Sequence, residues 1–159
     1  MSPVFEDHFS ELQADMVAIC LEYVQSEAED IYIYCSYESK MYAFDVFYKI
    51  NGQYVSKHNL NNAVHNTSRE GKRAFSYDTS EQRQEALLDI GLDKLTKIHD
   101  VCKLYEREMP TEIKLHYNVK QNSLRGKFRY DLVYSNDNEL LPVDIFDSWF
   151  EEVKDENLD

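Results

Sequence analysis

Apolar and polar residues alternate most regularly in the stretch that runs from Glu112 to Val119. A period of two predicts a β-strand with one buried face, here carrying Ile113, Leu115 and Tyr117. Turn-forming residues follow at 121–123, and the alternation returns from Lys127 to Tyr134. We therefore expect a β-hairpin whose second strand turns four residues towards the core: Phe128, Tyr130, Leu132 and Tyr134.

After Pro142 the apolar spacing lengthens to about 3.6 residues, which predicts an amphipathic helix. Its apolar stripe consists of Val143, Ile145, Phe146, Trp149, Phe150 and Val153. Its opposite face carries five carboxylates: Asp144, Asp147, Glu151, Glu152 and Asp155. We expect Trp149 and Phe150 to fix this helix to the sheet and to leave the carboxylates outside.

The first part of the chain predicts a helix from Phe5 to about Val24 and then three strands. The strands carry Ile31 to Tyr37, Tyr42 to Ile50 and Gln53 to Lys57, and Asn51-Gly52 is typical of a type I′ turn between the last two. From His58 to Thr79 the chain is polar and holds three basic residues. We interpret this stretch as an exposed loop with a helical turn at 60–64 and a short strand at 74–77; its basic residues are Arg69, Lys72 and Arg73.

A second long helix begins at Thr79 or Ser80, where Thr79 and Gln82 have the spacing of a capping box, and ends by Pro110. We expect one buried ridge along it, with Gly91 a weak point of about 1 kcal/mol and His99 facing solvent. The ridge is Leu87, Ile90, Lys94, Ile98, Val101 and Tyr105.

These elements give the order α-βββ-α-ββ-α. Strands that cluster in hairpins indicate an antiparallel sheet, so the chain predicts a single α+β domain over residues 1–159 with about five strands and three main helices. The residues expected in its core are Ile33, Phe44, Val46, Leu95, Ile98, Leu115, Tyr117, Phe128, Leu132, Phe146, Trp149 and Phe150.

The formal charge of −13 disfavours nucleic acid and anionic membrane as direct partners, because phosphate binding requires Lys and Arg. It favours a basic partner or simply keeps the protein soluble.

More than half of that charge lies from Glu139 to Asp159. The carboxylates of the last helix thus have three interpretations: a solvated face, a docking surface for a basic partner, or an active site. The basic residues Lys120, Arg125, Lys127 and Arg129 are interpreted as a surface that balances the acidic helix.

Motifs for catalysis and cofactor binding are weak. His99 and Cys102 share a helix face, but no second ligand pair completes a zinc site, and no glycine-rich phosphate loop occurs. The three cysteines (Cys20, Cys35 and Cys102) follow apolar patterns typical of buried thiols in a reducing compartment. We expect no metal and no cofactor. Because the N-terminus lacks the features of a signal peptide and no apolar run could span a membrane, we expect a cytoplasmic protein.

The chain resembles the YezG-like family of bacterial immunity proteins (antitoxins). The resemblance rests on PTEIKLHYNVKQNSL, FRYDLVYSND and the ending DIFDSWFEEVK, and the overall order and length match across nearly the whole chain. It implies an α+β protein without catalytic residues that binds and neutralises a secreted nuclease toxin. An acidic surface would suit such a partner, since nucleases present basic clefts and opposite charge accelerates association.

Two classes of function follow from the sequence. The first is a protein that binds and inhibits a toxin. The second is a small intracellular enzyme, a hydrolase with a Cys/His or a carboxylate site. A pocket that contains a histidine and a carboxylate would favour the enzyme, and a neighbouring gene for a toxin would favour the inhibitor.

Overall fold

The computed structural model describes residues 4–64 and 76–156. The elements are α1 (Phe5–Tyr23), β1 (Asp30–Glu38), β2 (Met41–Ile50), β3 (Gln53–Ser56), a 3₁₀ turn (Leu60–Ala63), α2 (Glu81–Leu104), β4 (Glu112–Asn118), β5 (Ser123–Arg129) and α3 (Pro142–Glu156). The strands form one antiparallel sheet in the order β3-β2-β1-β4-β5. The predicted α+β class and element order are confirmed.

Tight turns hold the register of the first three strands. Ser39 and Lys40 join β1 to β2, and Asn51 and Gly52 join β2 to β3, all four with positive φ. Two successive residues with positive φ form the turn whose twist matches a hairpin, so the type I′ interpretation of Asn51-Gly52 is confirmed. The resulting register places Ile33 of β1 between Val46 of β2 and Leu115 of β4.

One face of the sheet packs against α1 and α2 and contains most of the core. Ile31, Ile33 and Cys35 of β1 lie on this face with Val46 and Tyr48 of β2, and they are fully buried. The Tyr48 hydroxyl donates to the backbone oxygen of Cys20 in α1 at 2.8 Å, which satisfies a polar group inside an apolar core.

The opposite face of the sheet is covered by α3. Phe47 of β2 is fully buried there, and its ring centroid lies 5.7 Å from that of Phe146 and 5.1 Å from those of Trp149 and Phe150. The predicted role of Trp149 and Phe150 in fixing this helix to the sheet is confirmed. All five carboxylates of the predicted acidic face are exposed: Asp144, Asp147, Glu151, Glu152 and Asp155.

The second strand of the C-terminal hairpin was placed wrongly by the sequence pattern. The turn closes at Asn122, which has positive φ, and β5 then ends at Arg129. β4 begins at Glu112, just after Pro110, so it offers no partners to residues beyond Arg129. Leu132, predicted to be buried, is 52% exposed, and Phe128 at the edge of the sheet is 37% exposed.

Three predictions about α2 are also wrong. Of the two predicted N-cap residues, Ser80 is confirmed, and its side chain accepts a hydrogen bond from the Arg83 N–H at 3.3 Å, so the capping box of Thr79 and Gln82 is not the one that forms. Ile90 is 43% exposed, whereas His99 is only 9% exposed, and its Nδ1 lies 2.6 Å from the Tyr42 hydroxyl. The buried side of α2 is rotated from the predicted ridge because Gly91 faces β2, where a Cβ atom at this position would overlap the Phe44 ring.

The polar stretch between β3 and α2 is described only in part. Leu60–Ala63 forms the expected helical turn, as a 3₁₀ helix whose Leu60 and Ala63 are buried. Ser76 and Tyr77 are not part of a strand. Residues 65–75, which include the basic cluster of Arg69, Lys72 and Arg73 and the beginning of the predicted short strand, lie outside the described residues.

Candidate interaction surface

The acidic surface is built on α3, whose start is fixed by one of its own carboxylates. Pro142 occupies the first helical position, where its missing N–H costs nothing. The Leu141 N–H donates to Asp144 Oδ2 at 2.8 Å, so this side chain satisfies a donor that the helix leaves free. A carboxylate in the first turn also interacts favourably with the helix dipole. Asp144 therefore has a structural role that distinguishes it from the other four.

The remaining carboxylates divide between two sides of the helix. At 3.6 residues per turn, Asp147, Glu151 and Asp155 form a row one turn apart. Glu152 follows Glu151 directly and therefore projects about 100° around the helix axis from this row. Within Pro142–Glu156 there are six carboxylates and one lysine, so the outer surface of α3 is strongly negative.

A groove of about 590 Å³ separates α3 from β3 and the 3₁₀ turn. One wall is formed by α3 and the other by β2, β3 and the residues after it. The α3 wall contributes Val143, Phe146, Asp147, Phe150 and Glu151, and the other wall contributes Asp45, Tyr54, Val55, Ser56, Lys57, His58, Asn59 and Asn62. Two of the five predicted carboxylates, Asp147 and Glu151, thus line the groove.

The charge of the groove is dominated by three carboxylates. Asp45 forms an ion pair with Lys57, with 2.9 Å between Oδ1 and Nζ. Asp147 and Glu151 have no salt bridge within the described residues. The rings of Tyr54 and Phe150 line the same space. Carboxylates beside aromatic rings suit a guanidinium or an ammonium group, which binds through ion pairs and through the ring faces.

The sequence pattern did not identify the wall opposite α3. Asp45 is the one acidic residue of β2, and it interrupts the apolar run from Tyr42 to Tyr48; this was the available signal. Its proximity to α3 depends on the docking of α3 across β2, which no local pattern reports. The groove also contains Ser56, whose Oγ lies 3.1 Å from Nδ1 of His58.

The thiols offer little nucleophilic chemistry. Cys20, Cys35 and Cys102 are buried and free, and burial raises the pKa of each thiol above its ordinary value. A cysteine nucleophile needs a lowered pKa and access to substrate. His99, the histidine considered with Cys102 for a metal site, hydrogen-bonds Tyr42, and burial lowers the pKa of its imidazole. No group of His, Cys, Asp and Glu among residues 4–64 and 76–156 has the arrangement of a metal site.

Three of the four basic residues predicted as one surface, Arg125, Lys127 and Arg129, lie on the face of the sheet that α3 covers, but beyond the helix, and Lys120 lies in the turn of the hairpin. Arg125 and Lys127 of β5 pair in register with His116 and Lys114 of β4. Lys114 Nζ lies 5.4 Å from the ring centroid of Trp149, so the basic residues of β5 begin next to the part of the sheet that α3 covers.

Among the described helices, none has the length and the apolar composition needed to cross a lipid bilayer.

No protein-family model matches the chain, and a comparison with curated proteins finds no match. The resemblance to YezG-like immunity proteins therefore stays a prediction.

Proposed function

We propose that this protein is an immunity protein that binds and neutralises a cognate toxin in the cytoplasm. The observation that carries the proposal is the exposed acidic face of α3 beside a groove lined by carboxylates and aromatic rings. The partner we propose is a nuclease, because its cleft for phosphates is basic and would complement this surface. The protein acts by occupying that cleft and needs no cofactor.

The groove gives the proposed contact a specific anchor. A Lys or Arg side chain of the toxin would enter between Asp147 and Glu151 on one side and Tyr54 on the other. Asp45 is already paired with Lys57, so the two carboxylates of α3 supply the unpaired negative charge. Such a buried basic anchor is typical of the few residues that dominate the affinity of an interface.

The test uses the product of the neighbouring reading frame as the toxin. In the acidic-face variant, Asp147→Asn, Glu151→Gln, Glu152→Gln and Asp155→Asn are combined, and Asp144 is kept because it caps α3. We expect folding to be intact, since exposed charges contribute little to stability. Association measured by stopped flow at low salt should slow by about tenfold or more, and its salt dependence should become flatter.

A matched control removes the same charge elsewhere. Glu22→Gln, Glu85→Gln, Asp89→Asn and Asp100→Asn change two Glu and two Asp on the exposed surfaces of α1 and α2. This control should associate nearly as fast as the wild type and should still rescue growth of cells that express the toxin. Equal rates for the two variants would place the contact on another surface.

One observation favours a second candidate, a small hydrolase that uses the groove as its active site. Ser56 and His58 are within hydrogen-bonding distance, and the carboxylates of Asp45, Asp147 and Glu151 line the same space. A histidine near a carboxylate can act in proton transfer. If this candidate is correct, Ser56→Ala and His58→Ala will abolish hydrolysis of ester or phosphodiester substrates by the purified protein. If the protein is an inhibitor, no such hydrolysis will be measured with the wild type.

A further inference from the structure

The strand β5 is an edge of the sheet with an open side. It pairs with β4 and with no other strand in the described part of the chain. All residues from Leu124 to Arg129 are exposed. The outer side of β5 therefore presents backbone N–H and C=O groups that another strand could bind.

The two faces of β5 have different chemistry. Arg125 and Lys127 project on one face, and neither forms a salt bridge with a described residue. Leu124 and Phe128 project on the other face, where both are more than a third exposed. Because side chains alternate along a strand, a segment added to this edge would meet basic groups on one face and apolar groups on the other.

An aromatic cavity lies beside this edge on the apolar face. It has a volume of about 310 Å³. Four aromatic residues, Phe5 and Phe9 of α1, Phe128, and Tyr130 just after the strand, line it together with Arg107, Glu108 and Pro110. The Phe9 and Phe128 rings meet edge to face, with centroids 5.5 Å apart. Basic residues on an edge strand can simply prevent self-association. They do not account for a cavity with four aromatic rings next to the same edge.

We propose that β5 binds an extended segment of a partner protein in which acidic and apolar residues alternate. The segment would add a sixth strand, with its carboxylates facing Arg125 and Lys127 and one large apolar side chain in the aromatic cavity. A second copy of β5 is a poor occupant, because the basic residues of the two strands would face each other. This site goes beyond the proposed function, since β5 would bind an acidic segment, whereas α3 is proposed to bind a basic toxin.

Three peptides as long as β5, seven residues, test the site. In the first, glutamate alternates with valine or phenylalanine. The second has the same composition in a blocked order, and the third replaces each glutamate with lysine. At about 0.15 M salt, where distant charges are screened, only the first should bind by fluorescence anisotropy. Protection of the β5 amides from hydrogen exchange should accompany binding.

Backbone methylation gives a signature specific to strand addition. Successive N–H groups of a strand point in opposite directions, so only every second one can bond to β5. Two versions of the first peptide are N-methylated on odd or on even residues. One version should lose binding and the other should keep most of it. If both bind equally well, the peptide is not held as a strand and the proposal is wrong.

Variants locate the site on the chain. Arg125→Gln with Lys127→Gln should weaken binding by about two- to tenfold, as expected for two exposed ion pairs. Tyr130→Ala should weaken binding of the peptide with phenylalanine more than that of a version with alanine at this position. Lys40→Gln with Lys97→Gln, which changes charge equally elsewhere, should have no effect. Failure of the first peptide to bind at millimolar concentration, equal effects of the two double variants, or self-association through β5 would overturn the proposal.

Discussion

At the scale of single residues, Gly91 and His99 take their roles from neighbours that lie far away in the sequence. A lone histidine within a helix indicates a surface, and this interpretation is wrong for His99. A glycine within a helix indicates weakness, and this interpretation takes no account of what Gly91 contacts. Gly91 allows the helix to approach the Phe44 ring of β2, and His99 lies against Tyr42 of the same strand. The contact between α2 and β2 sets which side of the helix is buried. Helix periodicity alone leaves that rotation open.

Replacing Gly91 with alanine tests this close approach. On helix propensity alone the change would stabilise the fold by about 1 kcal/mol. We expect net destabilisation of about 1–2 kcal/mol instead, because overpacking in a filled core costs about 1–3 kcal/mol. Urea denaturation gives the free energy of unfolding of the Gly91→Ala variant, the Phe44→Val variant and the double variant. The double variant should be more stable than the sum of the single effects predicts, since the smaller valine makes room for the new methyl group. Strict additivity would mean that the two sites do not compete for space.

At the scale of elements, apolar periodicity predicted the helices and strands that carry a repeating apolar face. It gave a wrong prediction for the segment after β5, where the chain leaves the sheet. The three-strand meander and α3 agree with the sequence to within a few residues. The segment between β5 and α3 does not, because it is held by a buried carboxylate. Glu38, only 3% exposed, accepts hydrogen bonds from the backbone N–H groups of Val133, Tyr134 and Ser135 and from the Ser135 hydroxyl at 2.7 Å. In the sequence Glu38 is one carboxylate at the end of the first strand, and no local pattern shows its partners.

The role of Glu38 predicts a large effect of a small change. Glu38→Gln keeps one oxygen but turns an amide donor towards groups that are themselves donors. We expect a loss of about 2–4 kcal/mol in the free energy of unfolding, as for a buried charged group that loses its hydrogen bonds. Glu27→Gln, an exposed glutamate, should change it by less than about 0.5 kcal/mol. An effect of Glu38→Gln no larger than this control would show that the segment before α3 is held by other contacts.

At the scale of the whole molecule, the sheet separates two cores of unequal size. Among residues 4–64 and 76–156, the core beneath α1 and α2 contains 23 buried residues, and the core beneath α3 contains five. Free energies of local opening follow the apolar contacts that an element makes. The surface that we propose for toxin binding is carried by α3, the helix with the smaller core. The sequence predicted the acidic face of this helix, but the division of the core follows from the packing of distant elements.

This division predicts that α3 opens more readily than the rest of the protein. Phe47→Ala removes the ring that contacts Phe146, Trp149 and Phe150, and large core truncations of this kind cost about 3–5 kcal/mol. Amide hydrogen exchange should show α3 less protected than α2 in the wild type, and Phe47→Ala should lower the protection of α3 by about a hundredfold or more. The amides of α2 should be affected much less, because their exchange depends on the other core. Val46→Ala, one residue earlier on the opposite face, serves as the control and should lower protection in α2 and the central strands instead. If Phe47→Ala lowers the protection of α2 and α3 equally, the two faces unfold as one unit, and the acidic surface is as stable as the rest of the fold.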